Sequence, residues 1–264
     1  MKNIKKVKER IEKLSYPYLQ NIPDDSNLSN KYLIIINEIA KQVYIKPNEI
    51  NGTMDFSHLT NCYNASKKSW KLYEKNNDVE AYIHVQAITL AAGESIKNSL
   101  LDENDISIND IIRDEKQNKP GFIHIGSIAS KKYPLPYKEN LPYILIAGVI
   151  DRILELRENN PYLKFIIATA FEDSTGDNHF LEILPKYGFE YIGKTKSGDS
   201  IYQIDLEATD RPFGELIKVV SKKRIEYYKR NKKLKSFIEK IPSFKHIKSF
   251  VDYLITIYKG IKET

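Results

Sequence analysis

The chain has 264 residues, 41% of them hydrophobic and 29% charged, which is enough apolar material for a full core and excludes disorder along the whole length. No run of about 18 apolar residues is present to span a membrane, and the basic start Met1-Lys2-Asn3-Ile4-Lys5-Lys6 leads into charged amphipathic sequence rather than an export signal. The single cysteine, Cys62, excludes an internal disulfide framework and makes a reducing cytoplasm the expected compartment, while the net charge of +6 is uneven: residues 209–264 hold fifteen Lys and Arg against six Asp and Glu.

In chain order, Lys5 to Leu14 suits a short charged helix that stops at Pro17. A helix from about Asn30 to Val43 follows, because Leu33, Ile36, Ile39, Ala40 and Val43 share a face; the run Leu33-Ile34-Ile35-Ile36 fits an edge strand equally well. Phe56 to Asn76 spaces its apolar residues as one or two helices would. Glu80 to Thr89 reads as a strand, with His84 on the face of Tyr82 and Gln86 as a lining or surface residue. A short helix near Glu94 to Leu101 precedes polar sequence that leads to Pro120.

The centre of the chain is a β-α-β unit. Phe122 to Ser130 has strand composition, the loop behind it is crowded with Pro134, Pro136 and Pro142, and Leu141 to about Glu158 is a helix with a wide apolar side on which Arg152 is the only charge. Leu163 to Ala170 is a second, mostly apolar strand, as expected for one covered on both faces. A ligand of such a unit sits where the loop opens at the carboxyl end of the strand. Beyond it come a helix from about His179 to Leu184 bounded by Pro185 and Gly188, a hairpin of Phe189 to Lys194 with Ser200 to Leu206, and helical sequence from Pro212 broken at Pro242. The five histidines, at 58, 84, 124, 179 and 246, match no metal-ligand spacing, so no structural metal is expected.

This order of elements, with IHIGSIAS at 123–130 and LEILPKYGFEYIG at 181–193, resembles the GNAT superfamily of N-acyltransferases over about residues 56–206. The resemblance implies an α/β (α+β) GNAT fold whose mixed sheet splays between the family's fourth and fifth strands. It divides the chain into an N-terminal helical or edge region (1–55), an acyltransferase domain (56–206) and a basic helical extension (207–264). It also implies acetyl-CoA or another acyl-CoA as co-substrate and direct attack by an amine-bearing acceptor, whether small molecule, protein or aminoacyl-tRNA.

Carried over by position, the backbone of Ile128, Ala129 and Ser130 would meet the donor's thioester and pantetheine arm, and Lys138, Glu139 and Asn140 fall on the pyrophosphate loop. That loop lacks the family's basic first residue and its small residues: Leu135, Lys138 and Asn140 stand in their places. Asn178 is a further donor-arm candidate, and both Asn140 and Asn178 suit helix capping as well. His124 is placed as the catalytic base, against the alternative of a histidine hydrogen-bonded in the core. The family's acid tyrosine is Leu184 here, which leaves Tyr187 or Tyr191 as substitutes. The basic tail has two readings: contact with a polyanion such as nucleic acid or an anionic membrane surface, or a solvated helix docked by Leu216, Val219, Val220, Ile225, Tyr228, Leu234 and Phe237 on this domain or on a second copy in a homodimer. The rival to an enzyme is a catalytically inactive GNAT-like binding or regulatory module whose tail contacts nucleic acid or a protein.

Overall fold

The computed structural model describes residues 2–44, 55–113, 118–131, 140–170, 179–208 and 211–230. Lys138, Glu139 and Asn178 lie outside them, as does the tail beyond 230. The strands are β1 (Gln20–Asn21), β2 (Trp70–Lys75), β3 (Asp78–Thr89), β4 (Ile111–Ile112), β5 (Gly121–Ser130), β6 (Leu163–Ala170), β7 (Glu190–Lys194) and β8 (Ser200–Asp205). The helices are α1 (Lys2–Lys13), α2 (Ser26–Tyr44), α3 (Phe56–Ala65), α4 (Leu90–Lys97), α5 (Leu141–Asn159), α6 (His179–Lys186) and α7 (Pro212–Arg230), with a 3-10 turn at Glu103–Asp105.

The sheet runs β1-β2-β3-β5-β6-β8-β7, with β4 alongside β3, and β5–β6 is its parallel pair. This is the mixed sheet expected, with the family's fourth and fifth strands appearing as β5 and β6 because β4 adds a short strand ahead of them. The α2 segment is helical rather than an edge strand; its Leu33, Ile36 and Ile39 are buried. Residues 66–76 depart from the helical expectation. After α3 ends at Ala65, Trp70 to Lys75 forms a strand against β3, with Trp70 and Leu72 entering one core layer and Lys71 turned to the other side. Tyr73 breaks the apolar alternation, so the strand's period of two was hidden until β3 supplied its hydrogen bonds.

Alternation along the strands divides the core into two layers. Ala81, Ile83, Val85, Ala87, Ile123 and Ile125 face α1, α5 and α7; Tyr82, Ile88, Phe122, Ala129, Ile167 and Ile201 face α2, α3 and α4. On the first side α7 is packed into the domain: Phe213, Leu216, Val219 and Val220 are buried, as are Val7 and Ile11 of α1 and Leu14 just after it. Arg224 is buried with them and pairs with Asp151 and Glu158, both at 2.8 Å. Among the described residues no helix is long and apolar enough to cross a membrane.

Candidate active site

Pairing between β5 and β6 stops at Ile125–Ala168, while β5 stays paired with β3 as far as Ser130. The cause is a bulge. On β3, His84 pairs with Ser127 and Val85 with Ile125, so Gly126 is an extra residue in β5. An extra residue bends the strand and increases its twist, which carries residues 126–130 away from β6 and opens a V at the carboxyl end of the parallel pair. Glycine is needed there by close approach, since a Cβ on residue 126 would stand 2.6 Å from His84 Nδ1. Past the bulge, the N–H of Ile128 donates to the Tyr44 hydroxyl at 3.2 Å, and that hydroxyl donates to the Ile128 carbonyl at 3.0 Å.

At the apex of the V, on the α2–α4 side, polar side chains form a row across the sheet. Gln86 lies opposite His124, His124 opposite Ile167, and Ile167 opposite Gln203. Gln86 and His124 are each 1% exposed, and Gln86 Oε1, Gln203 Oε1 and both ring nitrogens of His124 have no hydrogen-bond partner. Polar atoms buried in this way are costly in a fold, so a row of them beside the opening of the V makes this place the candidate site. Glu103, from the 3-10 turn, reaches down with its Oε2 3.6 Å from His124 Nε2, and the hydroxyl of Thr169 on β6 donates to the same oxygen. The carboxylate is 29% exposed, so it links the buried imidazole to the surface.

His84, next along the row, stacks on Trp70 with ring centroids 3.8 Å apart and meets His124 edge-on at 6.5 Å. The lining or surface position expected for it gives way to a buried one. Burial, reinforced by the neighbouring His124, lowers its pKa to about 3, so it is a neutral ring. Burial also pushes the Tyr82 phenol up, which keeps it protonated.

The other residues singled out from the sequence fall as follows. Ile128 is half-buried, with its side chain in the α1–α5–α7 layer; Ala129 faces the opposite layer against Tyr82; Ser130 is buried and pairs with Ala81. Asn140 is exposed ahead of α5 and makes no side-chain cap, its carbonyl instead accepting from Ile144 N–H. Pro142, near the start of α5, leaves one fewer N–H for an anion at that end. Tyr187 packs in the α1–α5–α7 layer, and its carbonyl accepts from Phe213 N–H, so the sheet separates it from His124. Leu184 is buried in that same layer, and Tyr191 is 56% exposed. The site residues missed from the sequence are Tyr44, Glu103, Thr169 and Gln203. Gln203, like Gln86, interrupts an apolar strand face, and that was a readable signal; Glu103 and Tyr44 reach the site from elements distant in sequence and carried none. Among the described residues no group of three or more His, Cys, Asp or Glu is placed to hold a metal ion.

Neither a protein-family model nor a curated protein sequence matches the chain. Among solved structures the backbone is similar to an N-acetyltransferase from Staphylococcus aureus Mu50, at 11% identity over 67% of this chain and 94% of that one, with a TM-score of 0.42. It is also similar to mosquito arylalkylamine N-acetyltransferase like 5b (13% identity, 71% and 99% coverage, TM-score 0.38) and to the GphF GNAT-like decarboxylase in complex with isobutyryl-CoA (8%, 67% and 96%, TM-score 0.46). By its own strand order, the bulge at Gly126 and the V that opens after Ile125, the chain has the GNAT fold.

Proposed function

We propose that the chain is an N-acyltransferase that takes its acyl group from acetyl-CoA or another acyl-CoA and delivers it to an amine by direct attack. The observation that carries this reading is the V itself: β5 runs on to Ser130 after its last pair with β6, so its backbone offers an edge to which an extended arm carrying amides can add. The edge along 126–130 is where such an arm would add; Lys138 and the backbone of Glu139 are proposed for its phosphates on sequence position alone, and Asn178 for the arm. The co-substrate supplies a thioester carbon for attack.

The protein's part is to hold and deprotonate the amine. His124 lies at the apex with no hydrogen bond to either nitrogen, suited to receive the amine proton at Nε2, and Glu103, whose Oε2 faces that same nitrogen at 3.6 Å, is placed to stabilise the imidazolium once it carries the proton and to pass charge toward solvent. Titration calorimetry with acetyl-CoA and longer acyl-CoAs is the first test, and absence of binding at millimolar donor would sink the reading. With a donor in hand, His124→Gln is expected to lower kcat/KM for amine acylation by about 10²–10⁴-fold while leaving donor affinity within about twofold, the usual size of a lost acid–base group.

One observation favours the inactive binding module instead. Leu184 stands where the family's acid tyrosine would be, and Tyr187 lies across the sheet from His124. The result that would select this second reading is donor binding with no turnover on any of a broad panel of amines. Of the described part of the basic tail, Arg224 is committed to buried ion pairs and Lys223 donates to the Leu14 carbonyl, so Lys222, Lys229 and Arg230 are its exposed cations. Contact with a polyanion, or with a second copy of the chain, remains a proposal for residues 209–264 as a whole.

A further inference from the structure

A strand edge facing no other strand presents N–H and C=O groups that need partners when buried. On β5 the edge toward β6 loses its strand partner after Ile125, and at Ile128 the Tyr44 hydroxyl takes the partner's place, accepting from the N–H at 3.2 Å and donating to the C=O at 3.0 Å. The N–H and C=O of one strand residue project to the same edge. The other edge of β5 is lined by β3, where Ile83 is the register partner of Ile128, so the phenol stands on the β6 side, inside the V. Tyr44 is the last residue of α2, and that helix is seated by Leu33, Ile36 and Ile39 in the layer over this face of the sheet. A hydroxyl that both accepts and donates satisfies Ile128 as one residue of an added strand would.

We infer that Tyr44 is a built-in surrogate for the ligand amide at β5, and that a donor arm entering the V must displace the Tyr44 hydroxyl from Ile128. The inference rests on the donor reading proposed above. A backbone N–H is a single donor, so Tyr44 and a ligand carbonyl compete for it. The measured affinity is then the intrinsic affinity reduced by the fraction of molecules with Tyr44 withdrawn. An arm that offers both a carbonyl and an N–H at this place replaces both lost bonds, whereas a ligand without an amide there replaces at most one. Tyr44 therefore lowers affinity by the same factor for every donor that must displace it, and arms lacking the amide, which restore at most one of the lost bonds, bind more weakly still.

Tyr44→Phe in the full chain tests this, because it keeps the packed ring and removes only the hydroxyl. Calorimetry is expected to show acetyl-CoA bound about tenfold more tightly than by the wild type, equivalent to about 1.4 kcal/mol. Amide exchange read by NMR is expected to show Ile128 N–H exchanging about tenfold faster in the ligand-free variant, with protection restored at saturating acetyl-CoA. Equal binding by the two proteins leaves the donor site standing and overturns the role of Tyr44. Weaker binding by the variant makes Tyr44 a donor ligand and overturns it too, and binding to neither protein overturns both readings. Should the variant lose its folded amide spectrum, the wild type decides alone: the Ile128 amide resonance shifts on donor saturation if the hydroxyl is exchanged for a ligand amide, and an unmoved resonance overturns the inference.

Discussion

His84 shows how strongly a single buried side chain ties this fold to pH. Its ring is sandwiched between Trp70 and the bulge at Gly126, and burial holds it neutral with a pKa near 3, against about 6.5 in an unfolded chain. Between those values the unfolded chain binds a proton that the folded chain refuses, so stability falls as pH drops from about 6.5 toward 3, by at most about 1.4 kcal/mol for each pH unit. Thermal unfolding followed across that window is expected to show a falling midpoint in the wild type, and a slope shallower by about one proton in His84→Gln. From the sequence His84 was a polar residue on a strand, with nothing to say that Trp70 would lie over it. The stack exists because residues 70–75 became a strand, and that depended on β3 rather than on local preference.

At the scale of the element, β5 is one strand with two behaviours. As far as Ile125 it is an interior strand with a partner on each side; after Gly126 it keeps β3 and leaves β6. The composition of Phe122–Ser130 made the strand legible, and Gly126 within it was the visible mark of a bulge or a close approach. Gly126→Ala brings a Cβ against His84 Nδ1, and His84 cannot retreat because Trp70 covers it. The expected loss is about 1–3 kcal/mol, the usual cost of overfilling a packed core, measured by urea unfolding with the slope unchanged. The same substitution should broaden or shift the ring resonances of both His84 and His124, because the added methyl lies 3.2 Å from His124 Cε1.

On the scale of the whole molecule, the first and last described helices are bound to the centre of the chain through α5. Tyr16, after α1, donates its hydroxyl to Asp151; Arg224 of α7 pairs with Asp151 and Glu158; Lys8 of α1 meets Glu215 of α7 at 3.1 Å. Desolvation pushes the buried Asp151 carboxyl up, and that of Glu158 at the open edge of the cluster, even with the guanidinium beside them, while the half-buried Glu155 is held down by Lys71, Arg152 and Arg224. Arg224→Met removes the one cation shared by all three carboxylates and is expected to cost about 3–5 kcal/mol at pH 8. With Asp151 and Glu158 raised further, the folded variant binds protons that the unfolded chain has already released, so the deficit shrinks as pH falls from 8 toward 5. Denaturant unfolding of both proteins at the two pH values measures this; an equal deficit at both would mean that the carboxylates stay charged and find other partners.

The sequence by itself determined the β-α-β centre and the terminal hairpin, because those rest on apolar periodicity and on breakers that act within a few residues, and the order of its elements carried the resemblance that implied the fold class. Through the resemblance, by position in the family's fourth strand, it also pointed to His124 and to the backbone of Ile128 to Ser130. Only the tertiary structure decided what surrounds them. Glu103 and Thr169 meet across 66 residues of chain, Tyr44 reaches Ile128 across 84, and Arg224 finds Asp151 across 73. Contacts of that separation follow from the packing of whole helices on the two faces of the sheet, which no local pattern encodes.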